Sequence, residues 1–130
     1  MHDGSCLCGK VTIEVLGDFE HQPEMCHCTM CRKQASHAFA AVNIREEELG
    51  LEGEEHITWY QSSDDVRRGF CSNCGSVLFW QPTIEEYGHI AVAMGLFDGP
   101  TGLKLAKHTF VVEKGDYYDI DDEVPQSEAF

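Results

Sequence analysis

The sequence predicts an all-β fold built from short strands, and three observations carry that reading. Six brief runs rich in apolar, β-branched and aromatic residues are spread along the chain. Glycine, proline, asparagine or aspartate stands in most of the gaps between them, and these residues supply turn geometry. Few windows show the 3.6-residue apolar period of an amphipathic helix.

Taken in order, residues 11–15 (Val-Thr-Ile-Glu-Val) alternate apolar and polar, as a half-buried strand requires. Residues 39–44 form a second run, β-branched at its end, and residues 57–60, 77–80, 90–94 and 108–112 give four more. Gly17-Asp18, Asn73, Pro82, Gly88, Asp98-Gly99-Pro100 and Gly115-Asp116 mark turns. A turn or two of helix is expected over 29–35 and again over 45–49. No repeat or linker interrupts the chain, so residues 1–130 read as one domain. From about residue 113, Glu113, Asp116, Asp119, Asp121, Asp122, Glu123 and Glu128 face Lys114 alone. That composition predicts a solvated, partly mobile acidic tail, with Tyr117, Tyr118 and Ile120 pinning its first half to the body. The spacing of the acids matches no calcium loop.

Charge excludes whole classes of partner. Twenty-three acidic against nine basic residues give a formal net charge of -14, which repels nucleic-acid phosphates and anionic membrane surfaces. The longest apolar stretch, residues 90–97, is far below the roughly 20 residues needed to span a bilayer. The opening residues carry no secretory pattern, so a cytoplasmic protein with reduced thiols is expected.

Seven cysteines in three tight groups are the sharpest signal: Cys6-Leu7-Cys8, Cys26-His27-Cys28-Thr29-Met30-Cys31 and Cys71-Ser72-Asn73-Cys74. Thiolates at such spacing suit tetrahedral zinc, and an odd count spoils a disulfide framework. Gly9 and Gly75 follow two of the groups and permit the positive φ of a tight metal-binding turn. Two allocations are open. Cys28, Cys31, Cys71 and Cys74 make a ribbon-like quartet but strand the other three. Alternatively, Cys6, Cys8, Cys71 and Cys74 close one structural site, leaving Cys26, Cys28 and Cys31 to hold a second ion; this one uses every cysteine. A three-thiolate site leaves one ligand position for a substrate, unless His27 or His37 fills it. Arg32 and Lys33 follow Cys31, and Arg67 and Arg68 precede Cys71. They either offset thiolate charge or hold the carboxylates of an anionic substrate. His108 is expected as a hydrogen-bonded strand residue, and Trp59, Phe79, Trp80 and Phe97 as core.

The stretches Gly4-Ser5-Cys6-Leu7-Cys8-Gly9-Lys10-Val11, Cys26-His27-Cys28-Thr29-Met30-Cys31-Arg32-Lys33 and Phe70-Cys71-Ser72-Asn73-Cys74-Gly75-Ser76 together resemble the glutathione-dependent formaldehyde-activating enzyme family, which includes the centromere protein V domain. The resemblance covers about residues 4–112. It implies a zinc-stapled β-tent fold of short antiparallel strands and two Zn²⁺ sites. Cys6, Cys8, Cys71 and Cys74 would hold structural zinc, and Cys26, Cys28 and Cys31 catalytic zinc. The implied activity is that of a carbon–sulfur lyase adding a small aldehyde such as formaldehyde to a small thiol such as glutathione. Two departures stand out: His37 replaces a residue that is often small, and Tyr117 or Tyr118 stands in for a tryptophan. The competing expectations are a zinc-stabilised protein-interaction module without catalysis, and a redox thiol enzyme using Cys28 and Cys31. The latter lacks the βαβ context of a thioredoxin-like fold.

Overall fold

The computed structural model describes residues 1–84 and 86–130, which fold mainly as strands in two sheets. The smaller sheet joins β1 (His2–Ser5), β2 (Thr12–Val15) and β5 (Leu49–Glu52) in the order β1-β2-β5, with both pairings antiparallel. The larger contains β3 (Glu24–Cys26), β4 (Phe39–Arg45), β6 (Ile57–Ser63), β7 (Val66–Cys71), β8 (Val77–Pro82), β9 (His89–Ala93) and β10 (Lys107–Thr109). Its order is β10-β3-β4-β9-β8-β7-β6. The pairings are antiparallel except β10 with β3, which run parallel at one edge. A single α-helix among the described residues, α1 (Thr29–Ala35), follows β3. The second expected helical turn is the 3₁₀ turn Glu46–Glu48.

Local sequence explains most of this. In β2, Ile13 and Val15 are buried while Thr12 and Glu14 stay half-exposed, the alternation the pattern predicts. Strand β9 sits at the centre of the larger sheet, and Ile90, Ala91, Val92 and Ala93 are all buried. A strand covered on both faces shows a continuous apolar run rather than alternation. Val11, Val15, Val42, Leu78, Phe79 and Val92 form the fully enclosed centre of the core. Trp59 stacks on Phe79 and lies across Gly69, where a Cβ would stand 3.0 Å from its ring. Glycine is what allows that approach. Phe79 is thus core, as expected, whereas Trp80 lines a cavity.

Four strands lie outside the six predicted runs. β1 is polar (His-Asp-Gly-Ser), β3 has three residues, β5 contains a glycine, and β7 carries two arginines and a glycine. None has enough β-branched or aromatic residues to register as a strand by itself. The run over 108–112 ends early: Phe110 takes a left-handed φ of 52° and Val111–Glu113 is a 3₁₀ turn.

The acidic tail is solvent-exposed along most of its length, as expected, but it is held to the body beyond its first half. Ser127 N–H donates to His108 O at 2.9 Å, His108 N–H to Pro125 O at 2.8 Å and Val111 N–H to Ser127 O at 3.1 Å. Phe130 packs edge-on against Phe110 and near Trp80. Contacts therefore extend to the end of the described chain, beyond the pinned first half, because backbone pairing and aromatic packing do not register in a charge count. Among the described residues, no helix is long and apolar enough to cross a membrane.

Candidate metal centres

Cys6 and Cys8 lie on the turn after β1, Cys71 ends β7, and Cys74 lies on the turn into β8. Their four sulfurs fall within 4.8 Å of one another. The Cys6–Cys8 Sγ distance is 3.6 Å and the Cys8–Cys71 distance 3.8 Å. Corners of a tetrahedron with metal–sulfur bonds of about 2.3 Å stand about 3.8 Å apart, so the spacing fits zinc. Both turns curl as their glycines allow: Gly9 and Gly75 each have φ of 80°, and their N–H groups donate to Cys6 O and Cys71 O. Val11 N–H donates to Cys6 Sγ at 3.3 Å. The Cys74 thiol is pulled down to about 5, first by the Ser76 hydroxyl and then by the Ser76 backbone N–H. Cys6 and Cys71 are buried in the core, so an ion held here would join the smaller sheet to the larger.

Cys26 ends β3, Cys28 caps α1, and Cys31 lies within the helix. Their sulfurs also fall within 4.8 Å of one another. As N-cap, Cys28 accepts from Cys31 N–H at 3.4 Å, the position where a side-chain acceptor satisfies an orphan helix donor. The structure thus groups Cys28 and Cys31 with Cys26, and the ribbon-like quartet with Cys71 and Cys74 does not form among the described residues. The Cys28 thiol is driven far down by hydrogen bonds from Cys26 and Cys31, then by the Cys31 N–H and the Arg68 charge. Cys26 is pushed up by Cys28, and Cys31 is pushed up by Cys26, Cys28 and burial. Three crowded sulfurs share little negative charge unless a cation joins them.

Arg68, on β7, is 4% exposed. Its Nη1 lies 3.5 Å from Cys31 Sγ and 3.1 Å from Gln34 Oε1, and Nε donates to Ser62 Oγ at 3.2 Å. No carboxylate pairs with it among the described residues. A buried guanidinium needs an anion, and sulfur is the one offered. Of the four basic residues beside the clusters, Arg68 alone reaches this site. Arg67, pointing to the opposite face of the strand, stacks 3.8 Å over Trp59 and bonds Gln81. Neither Arg32 nor Lys33 lines the cavity above the thiols. The substrate-carboxylate role considered for the four therefore has no support in the placement of Arg32, Lys33 or Arg67.

Neither histidine considered as a fourth ligand joins the three sulfurs. His27 is 1% exposed and turns toward the tail. Its Nε2 pairs with His108 Nδ1 at 2.8 Å, and its Nδ1 pairs with the Tyr118 hydroxyl. His108 Nε2 lies 2.8 Å from Asp122 Oδ2. One arrangement of protons satisfies the whole chain with neutral rings: Tyr118 O–H donates to His27, His27 N–H to His108, and His108 N–H to Asp122. Burial, then neighbouring His108, holds His27 below its ordinary pKa, which favours that neutral form. His37 pairs with the Tyr117 hydroxyl instead. Tyr117, Tyr118 and Asp122 are thus tied to the histidines flanking the second cluster, a link hidden by more than 80 residues of separation for His27. Glu20, His21 and His89 also converge, but the Glu20 carboxylate is already held by Arg45 at 2.7 Å.

The three thiols open into a cavity of about 410 Å³ between α1, the larger sheet and the tail. That volume lies within the range of small-molecule sites. Met30, Phe39, Trp80, Tyr87, Phe110 and Phe130 form much of its wall.

Comparison with known proteins agrees with this architecture. The family model described as glutathione-dependent formaldehyde-activating enzyme matches residues 1–113. A Halomonas elongata protein named, provisionally, as an enzyme of that kind is 34% identical over 95 residues. That alignment covers 67% of this chain, which spans only 60% of the relative's length. A Schizosaccharomyces pombe protein named as an uncharacterized lyase is 29% identical over 118 residues, 91% of this chain and 84% of its own. A crystal structure of a Rhodobacter sphaeroides protein superposes with a TM-score of 0.62 at 27% identity, covering 75% of this chain and 89% of that one. With the match running through both cysteine groups and nearly the whole fold, the chain belongs to the glutathione-dependent formaldehyde-activating enzyme family.

Proposed function

We propose that this chain is a zinc-dependent enzyme of the carbon–sulfur lyase type, joining a small aldehyde such as formaldehyde to a thiol, the reaction type for which glutathione is the thiol in the family's name, and releasing them in reverse. The observation that carries the reading is a three-sulfur group facing a ligand-sized cavity, with no fourth protein ligand among the described residues. The family and the names of its relatives support the same chemistry. Residues 1–130 are taken as one domain stapled at Cys6, Cys8, Cys71 and Cys74.

In this reading Cys26, Cys28 and Cys31 hold the second zinc. Zinc bound there would acidify an incoming thiol, whose free pKa of about 8.5 otherwise leaves it mostly protonated at neutral pH. The chain's own residues do the rest. Arg68 balances the negative charge of the sulfurs, so a further anionic sulfur is tolerated beside them. The cavity wall would hold thiol and carbonyl together, which lowers the entropic cost of their encounter. Net reaction breaks the S–H bond, forms C–S, and moves one proton to the carbonyl oxygen. The test follows exchange of the S-hydroxymethyl adduct by NMR with zinc-loaded protein. Exchange faster than the spontaneous reaction, lost in Cys28→Ser, is expected; no enhancement with any thiol eliminates the proposal.

A further inference from the structure

Glutathione presents two carboxylates and one ammonium at neutral pH, so a site built for it needs cations at matched positions. The cavity does not offer them. Of nine lysines and arginines in the chain, Arg68 alone lines it among the described residues. Its guanidinium is enclosed and already engaged by Cys31, Gln34 and Ser62. Two carboxylates, Glu24 and Glu113, line the same space. Glu113 is fixed there by Thr29, whose N–H and hydroxyl donate to it at 3.1 and 3.0 Å. An incoming carboxylate would therefore find no free cation to pair with and would meet like charge.

The wall supplies the opposite chemistry. Phe39 rises from β4, Trp80 from β8, and Phe110 and Phe130 pack edge-on at the tail, with Met30 completing the apolar surface from α1. Aromatic surfaces of this kind gain most from covering an apolar body.

We infer that the thiol this cavity takes is one with an uncharged apolar body, aryl or alkyl, and no carboxylate. The inference rests on the lyase-type reading above and names its thiol class. The reaction stays balanced in the same way: the thiol proton passes to the aldehyde oxygen as C–S forms, with no oxidant or reductant.

The experiment compares 2-phenylethanethiol with glutathione, each with formaldehyde, by adduct-exchange NMR on the zinc-loaded full chain. The expected result is a rate enhancement about tenfold or more greater for 2-phenylethanethiol. Calorimetry with two probes lacking a free thiol, 2-phenylethanol and S-methylglutathione, reads body recognition apart from metal ligation. The former binds more tightly if the inference holds. Ser63, exposed on the cavity rim, is the place to add a cation. Ser63→Lys is expected to raise the glutathione enhancement roughly threefold relative to 2-phenylethanethiol, as one partly exposed ion pair allows. Equal or preferred use of glutathione, or tighter binding of S-methylglutathione, overturns the inference and leaves the lyase-type reading standing. Enhancement with neither thiol overturns both.

Discussion

Arg68 shows how a residue acquires a role that its neighbours in sequence do not reveal. It stands three positions before Cys71, yet its guanidinium serves Cys31 on the other side of the sheet from Trp59. As the positive group nearest the second cluster, it stabilises whatever negative charge the sulfurs keep. Arg68→Met is expected to weaken retention of the second metal ion by about tenfold or more, the usual effect of losing a partner behind a ligand. Competition against a graded chelator, with each equivalent of metal counted, measures this. Affinity unchanged within twofold would mean Arg68 acts only in packing. The cysteines themselves were legible, because two- and three-residue spacing reports local geometry without needing the fold. Which cysteine joined which group was less so, since spacing says nothing about strands brought together across the sheet.

The C-terminal segment is the element whose sequence is informative only in part. Seven acids from Glu113 onward read as a solvated tail pinned in its first half by Tyr117, Tyr118 and Ile120; Tyr118 does reach the buried His27, and Asp122, an acid the charge pattern left to solvent, reaches His108. Its acids largely face outward while its aromatic residues and backbone carry the docking. The Asp122 carboxyl sits below its ordinary pKa, chiefly because it accepts from His108. A depressed carboxyl contributes fully above its unfolded pKa, and the contribution fades as pH falls through the depressed value. Asp122→Ala is therefore expected to speed amide exchange over residues 117–127 at neutral pH, with exchange in β8 and β9 unchanged. Wild-type exchange there should rise toward that of the variant as acid is added. Equal protection in variant and wild type at neutral pH would show that the histidine chain does not hold the segment. Missed strands follow a related logic: β7 contributes Arg67, Arg68 and Gly69 at its middle, and only its neighbours β6 and β8 make it a strand.

For the molecule as a whole, the proposed function assigns the two cysteine groups different tasks, one structural and one catalytic. Cys6 and Cys71 are enclosed within the core, and a metal held by their group would tie the smaller sheet to the larger. A metal held by four thiolates contributes on the order of 10 kcal/mol, comparable with the net stability of a domain. Cys71→Ser is accordingly expected to abolish cooperative unfolding by circular dichroism, whereas Cys28→Ser keeps it and loses one of two zinc equivalents. A normally folded Cys71→Ser protein would refute the structural role. The fold class was legible in turn residues and short apolar runs, while the cavity was not, because its wall gathers residues from β4, β8, α1 and the tail. The most direct test of an outside thiol reaching the three-sulfur centre is the visible spectrum of the cobalt-substituted protein as thiol is added. The predicted result is a change in sulfur-to-cobalt absorption from one of two ions, absent in Cys28→Ser; two ions that both ignore the added thiol would contradict it.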